Sequence, residues 1–112
     1  MIANRYVVGA ALVLGMSSAL AADANRGKEI YLSVGCNNCH GTVGQGMNIG
    51  AKLAPNPMPL EAFVQFVRTS DKTAMPSYSP RMISDPDLAD VHAYLASIKS
   101  PDPKSLPLLQ NP

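Results

Sequence analysis

The two cysteines of this 112-residue chain stand three positions apart, and the second is followed at once by a histidine: Cys36-Asn37-Asn38-Cys39-His40, within "GCNNCHGT". Two thiols at this spacing share one helical turn, and the next residue is carried with them. C-x-x-C-H is the attachment pattern of a c-type haem. Each thiol can add across one of two neighbouring vinyl groups of the porphyrin, and the adjoining imidazole then lies beneath the iron as its proximal ligand. Other uses of paired cysteines fit less well. A structural zinc site takes four ligands, usually with a second pair downstream, and only His92 remains in this chain. A thioredoxin-like dithiol belongs in a βαβ context, and no stretch reads as a convincing strand. A disulfide closing so short a loop would restrain little of the unfolded chain. One haem c, covalently attached through Cys36 and Cys39, uses all three residues.

The opposite axial face of such an iron decides its use. An open position admits gas binding or peroxide chemistry, whereas a filled one makes an electron carrier. Met47, Met58, Met75, Met82 and His92 are the available donors beyond the motif. Met47 follows His40 by only seven residues, too few to wrap round easily to the far side. Met58 abuts a helical stretch and reads as ordinary core. His92 stands beside an apolar helix stripe and reads as a surface or internally satisfied residue. Met75, in "KTAMPSYSP", lies in an irregular, proline-punctuated loop that can lay a thioether over the iron. Met75 is therefore the first choice for the sixth ligand and Met82 the second. The metal ligands expected are His40 and Met75. No acid–base pair or nucleophile is evident, so no catalytic residue is assigned, and an electron carrier rather than an enzyme is expected. The alternative is a five-coordinate haem protein with gas-binding or peroxidase-like activity.

Three amphipathic segments must position these groups. The first begins at Asp23, an N-cap, and runs to about Val34, with Gly27, Ile30, Tyr31 and Val34 on one face. The second is "PLEAFVQFVRTS", with Pro59 in its first turn and a stripe of Leu60, Phe63, Val64 and Val67. The third is "SDPDLADVHAYLASIK", read with Asp85 as cap, Pro86 at the first helical position and Lys99 complementing the far end of the dipole. Its apolar face is Leu88, Val91, Tyr94, Leu95 and Ile98. The connection from Gly41 to Pro59 is long and rich in glycine and proline, as functional loops in small domains are. Three short helices give an all-α domain whose core is thin without an added apolar group.

The first 21 residues have the layout of a secretory leader: Arg5, the apolar run "YVVGAALVLG" and a small-residue site ending Ala19-Leu20-Ala21. That run is shorter than the about 20 apolar residues of a membrane span, so stable membrane insertion is not expected; the alternative is an uncleaved membrane anchor. Cleavage after about Ala21 would release the chain into the periplasm. The organisation expected is a signal peptide over 1–21, a haem domain over 22–99 and a proline-rich tail over 100–112. Loss of the leader removes Arg5 and no acidic residue, leaving eight Lys/Arg against eight Asp/Glu. A neutral chain without a basic patch has little field to draw it to DNA or an anionic membrane, so nucleic acid is not an expected partner.

"GKEIYLSVGCNNCHG", "AMPSYSP" and "SDPDLADVHAYLASI" together resemble a class I monohaem cytochrome c of bacterial type, over about Asp23 to Ile98. The motif near the front of the chain sets it apart from the four-helix cytochrome c′ type. The resemblance implies a small fold of three main helices and long loops wrapped around one haem. It makes Cys36 and Cys39 the thioether links, His40 the proximal ligand and Met75 the distal one. It pairs Gly27 with Tyr94 where the first and last helices cross. It places a carbonyl acceptor for the proximal histidine in Leu53–Pro55; Tyr78 and Ser79, just after Met75, either bond near the ligand or a propionate or have a plain loop role. The function implied is periplasmic one-electron transfer, as a shuttle or as the haem subunit of a dehydrogenase. "PNPMPLEAFVQFVR" is similar to haem subunits of such assemblies. Redox partner proteins follow: a dehydrogenase catalytic subunit, and a membrane oxidase or cytochrome.

Overall fold

The computed structural model describes residues 9–11 and 21–100. Almost all of the expected leader and the tail beyond Ser100 lie outside the described residues. The elements are α1 (Ala24–Val34), α2 (Asn37–His40), α3 (Leu60–Thr69), a single 3-10 turn (Ser70–Lys72) and α4 (Asp85–Ser97). Among the described residues the one β pairing is an isolated bridge between Met47 and Gly50. The fold is therefore all-α, with the three expected helices and one further turn of helix at the cysteines. No helix among the described residues is long and apolar enough to cross a membrane.

Local chemistry sets the helix ends. The Asp23 carboxylate accepts the Asn25 and Arg26 N–H groups at 2.9 and 3.1 Å, two donors the first turn would otherwise leave unpaired. Gly35, at φ 92°, ends α1 in the left-handed conformation that glycine adopts without strain. At α4 the cap is Ser84, whose hydroxyl accepts the Asp87 N–H at 3.2 Å. The helix thus starts one residue earlier than the Asp85-Pro86 reading, and Asp85 becomes free to pair with Arg68. Pro59 likewise stands just before α3 instead of inside its first turn. α4 stops at Ser97, so Lys99 lies beyond its last turn.

α1 and α4 cross at backbone distance. A Cβ at Gly27 would collide with the Asp90 carbonyl and crowd the Val91 nitrogen. The group received by the missing side chain is thus the α4 backbone, not the Tyr94 ring that the family resemblance pairs with Gly27. Tyr94 packs instead edge-on against Tyr31, with ring centroids 5.5 Å apart. A polar clamp closes the crossing. Arg26 Nη1 reaches Asp87 Oδ1 and Asp90 Oδ2, both at 2.7 Å, while Asp90 Oδ1 accepts the Asp23 N–H at 2.8 Å. The Asp23 N–H and Arg26 hold the Asp90 carboxyl below its ordinary range, and Arg26 does the same for Asp87. Around the crossing lie Tyr31, Leu88, Val91, Tyr94 and Leu95, extended by Phe63 and Val67 from α3.

Gly27→Ala forces two backbones apart in a close-packed core, so it is expected to cost about 3 kcal/mol, the upper part of the overpacking range. Denaturant unfolding of the haem-loaded protein measures the loss.

Candidate functional site

The left-handed Gly35 turns the chain straight from α1 into α2. There the His40 N–H donates to the Cys36 carbonyl at 3.0 Å, closing one turn that carries Cys36, Cys39 and His40 together. These three residues line a cavity of about 460 Å³, within the range of about 300–1,000 Å³ usual for cofactor sites. Phe63, Val67, Ile83, Leu88, Val91 and Leu95 supply apolar wall, and among the described residues Lys52 is the one Lys, Arg, Asp or Glu that lines it.

The loop after α2 folds back onto it. Tyr31, fully buried, donates its hydroxyl to the Gly41 carbonyl at 2.6 Å, and Tyr94 donates to the Thr42 carbonyl at 2.9 Å. The Gly46 N–H returns to the His40 carbonyl at 2.8 Å, and the Leu53 and Ala54 N–H groups both reach the Gly44 carbonyl. Gly50 lies on Cys39 so closely that a Cβ there would collide with its carbonyl. The chain emerging from that contact sets the Ala51 carbonyl 2.7 Å from His40 Nδ1. This corrects the expectation of an acceptor in Leu53–Pro55: Gly50, packed on Cys39, brings its neighbour Ala51 to the ring. A carbonyl only accepts, so Nδ1 donates to it, and in the neutral imidazole this leaves the Nε2 lone pair for a metal.

Met75 is half-buried and lines the same cavity. Met82 is 64 % exposed and Met47 54 %, and neither is part of the wall. His92 turns elsewhere: its Nε2–H donates to the Met58 carbonyl at 2.8 Å, and its ring meets Phe63 edge-on. That bond bears out its reading as a satisfied helix residue. Met58 differs from the sequence reading, since it is 42 % exposed and lines the cavity mouth instead of packing in the core. Tyr78 also lines the cavity, where burial pushes its phenol up. The Ser79 carbonyl caps the following turn by accepting the Met82 and Ile83 N–H groups, a plain loop role.

This donor set fits a porphyrin. Two thiols and an imidazole are presented from one turn, a thioether faces the same dry space, and the walls are apolar. A redox dithiol fits worse, for burial pushes the Cys36 thiol up, whereas a reactive cysteine needs its thiol lowered.

Fold and site together define a class I monohaem cytochrome c. The chain belongs to the family described as cytochrome C oxidase, cbb3-type, subunit III, whose family model matches residues 22–95. No curated protein and no solved structure matches it. The protein accordingly binds haem c covalently, and its work is haem-based electron transfer with redox partner proteins.

Tyr31→Phe leaves the Gly41 carbonyl without its buried donor, at a cost of about 1–2 kcal/mol. The substitution also alters the alkaline limb. Burial first, with lesser charge effects, pushes the Tyr31 phenol from 10.0 up to about 12. A group raised in the folded state gives stability that is complete below its unfolded value and lost as pH climbs through the folded one. Unfolding midpoints taken from pH 8 upward should therefore decline less between pH 10 and 12 in the variant than in the parent.

Proposed function

We propose that Cys36 and Cys39 form the two thioether links, that His40 and Met75 are the axial ligands, and that the protein carries single electrons in the periplasm. When bound, haem c supplies one iron centre that accepts and releases one electron. The observation that carries the reading is that His40 and Met75 line one cavity from which Met47, Met82 and His92 stand apart, while Met58, the other methionine of the wall, is substantially exposed and its backbone is tied to His92. The Ala51 carbonyl fixes the His40 ring and makes the imidazole a stronger donor, as outer-shell acceptors do. The Met75 thioether favours the reduced iron and raises the potential. Apolar side chains of α1, α3 and α4 exclude water, and ligands held in both oxidation states leave little to rearrange.

The leader over residues 1–21 directs export, and residues 22–99 form the haem domain. The chain serves either as a shuttle between periplasmic or membrane-bound redox proteins, or as the haem subunit that accepts electrons from a dehydrogenase and passes them to a membrane oxidase or cytochrome. A neutral mature chain and a cavity wall with one Lys as its charged member favour docking through apolar contact, which salt screens little. Co-purification with a larger partner at moderate salt supports the subunit form, and a lone monomer on sizing supports the shuttle.

Met75→Ala should abolish the weak red methionine–iron band of the oxidised protein. It should also lower the reduction potential by on the order of 0.1 V or more, given that axial ligand choice spans about 0.8 V. Met82→Ala should leave both unchanged. Rapid carbon monoxide binding by the unsubstituted reduced protein would favour the open, gas-binding alternative.

A further inference from the structure

Met75 sits in a segment without helical support of its own, yet the backbone on both sides of it is tied to the end of α3. Ahead of it, the Thr73 hydroxyl donates to the Ser70 carbonyl at 2.7 Å, and the same oxygen lies 3.1 Å from the Met75 N–H. Behind it, the Ser70 hydroxyl, 1 % exposed, donates to the Pro76 carbonyl at 2.8 Å. Two residues further on, Arg68 Nη1 donates to the Tyr78 carbonyl at 2.9 Å, and the Tyr78 N–H returns to the Val67 carbonyl at 3.0 Å. The other arm of Arg68 pairs with Asp85 at 2.5 Å, so one guanidinium joins the methionine loop to α3 and to the start of α4. The Arg68 side chain is 15 % exposed, which shields its bonds from competing water, while Asp85 at 69 % is largely solvated.

We propose that Arg68 and Ser70 are positioning residues for Met75: by holding the Pro76 and Tyr78 carbonyls on the end of α3, they set how much of the time the thioether stays at its ligating place. The proposal rests on Met75 being the distal ligand. The thioether is a neutral donor on a flexible side chain, so its residence depends on the backbone that carries it. Loss of either tie enlarges the population in which the loop has lifted away. A competing ligand binds in proportion to that open fraction. The ion pair to Asp85 contributes less than the bond to Tyr78, because its carboxylate is solvated.

The test is imidazole titration of the oxidised, haem-loaded protein, followed by loss of the red methionine–iron band. Arg68→Ala and Ser70→Ala should each bind imidazole about tenfold more tightly than the parent, the consequence expected of one lost buried hydrogen bond. Arg68→Lys, which keeps a charged donor without the fork, should stay within about threefold of the parent. Asp90→Asn, which weakens the distant α1–α4 clamp, serves as the control. It should lower the unfolding midpoint yet leave the imidazole affinity within about twofold, since local opening and global unfolding are separate equilibria. If Arg68→Ala folds poorly, Ser70→Ala carries the test alone. Unchanged affinity in both, or an equal tightening in Asp90→Asn, overturns the proposal while the ligand assignment stands. A parent protein without the red band overturns the ligand assignment and this proposal together.

Discussion

The close passage of α1 over α4 at Gly27 is the constraint from which the site follows. Only a residue without a Cβ allows the α1 backbone to rest on Asp90 and Val91. That approach seats Tyr31 and Tyr94 edge to edge, and their hydroxyls then reach the Gly41 and Thr42 carbonyls directly after the cysteine motif. The loop is thereby fixed at its root, and Gly50 presses onto Cys39. The Ala51 carbonyl arrives at His40 as a result. Distance between the two helices is thus converted into the orientation of one imidazole. The acidic and basic groups of the crossing add direction more than strength, because Arg26 is half exposed and such pairs are screened.

The two faces of the cavity are held by different means. His40 is carried on the rigid turn that continues from α1, with its ring fixed by a backbone acceptor. Met75 is carried on a loop whose shape is set by side-chain hydroxyls and one guanidinium. One potential donor on a stiff turn and another on a stitched loop thus line the same cavity. Among the residues of the wall, Ile49, Met58 and Phe66 remain substantially exposed. An apolar rim of this kind and a formal net charge of only +1 give little long-range attraction toward a charged partner.

Much of this was legible in the sequence because it is written in spacing. Cys36, Cys39 and His40 are adjacent, so one helical turn brings them together whatever the rest of the chain does. The helices announce themselves through periodic apolar faces and through Asp23, and Met75 is marked by the prolines around it. What the sequence hides is contact that depends on backbone. The Ala51 carbonyl has no side-chain signature, and any residue could have supplied it. Asp85 looked like a cap, but Ser84 before it competes for the same N–H groups and wins, which leaves the carboxylate to Arg68. Met58 looked like core because it precedes an apolar helix, yet the bond from His92 to its carbonyl holds that stretch at the cavity mouth. Gly27 announced a crossing without saying which group filled the space. Ser70 carried no signal at all, since a serine at a helix end is ordinary.

The most direct test of the account is a tryptic map of the mature protein. Cleavage after Lys28 and Lys52 releases one peptide, Glu29–Lys52, that contains Cys36, Cys39 and His40. The haem absorbance and the haem mass should travel with that peptide, with neither sulfur open to alkylation. Recovery of the peptide without haem, its cysteines alkylated or joined in a disulfide, would contradict it.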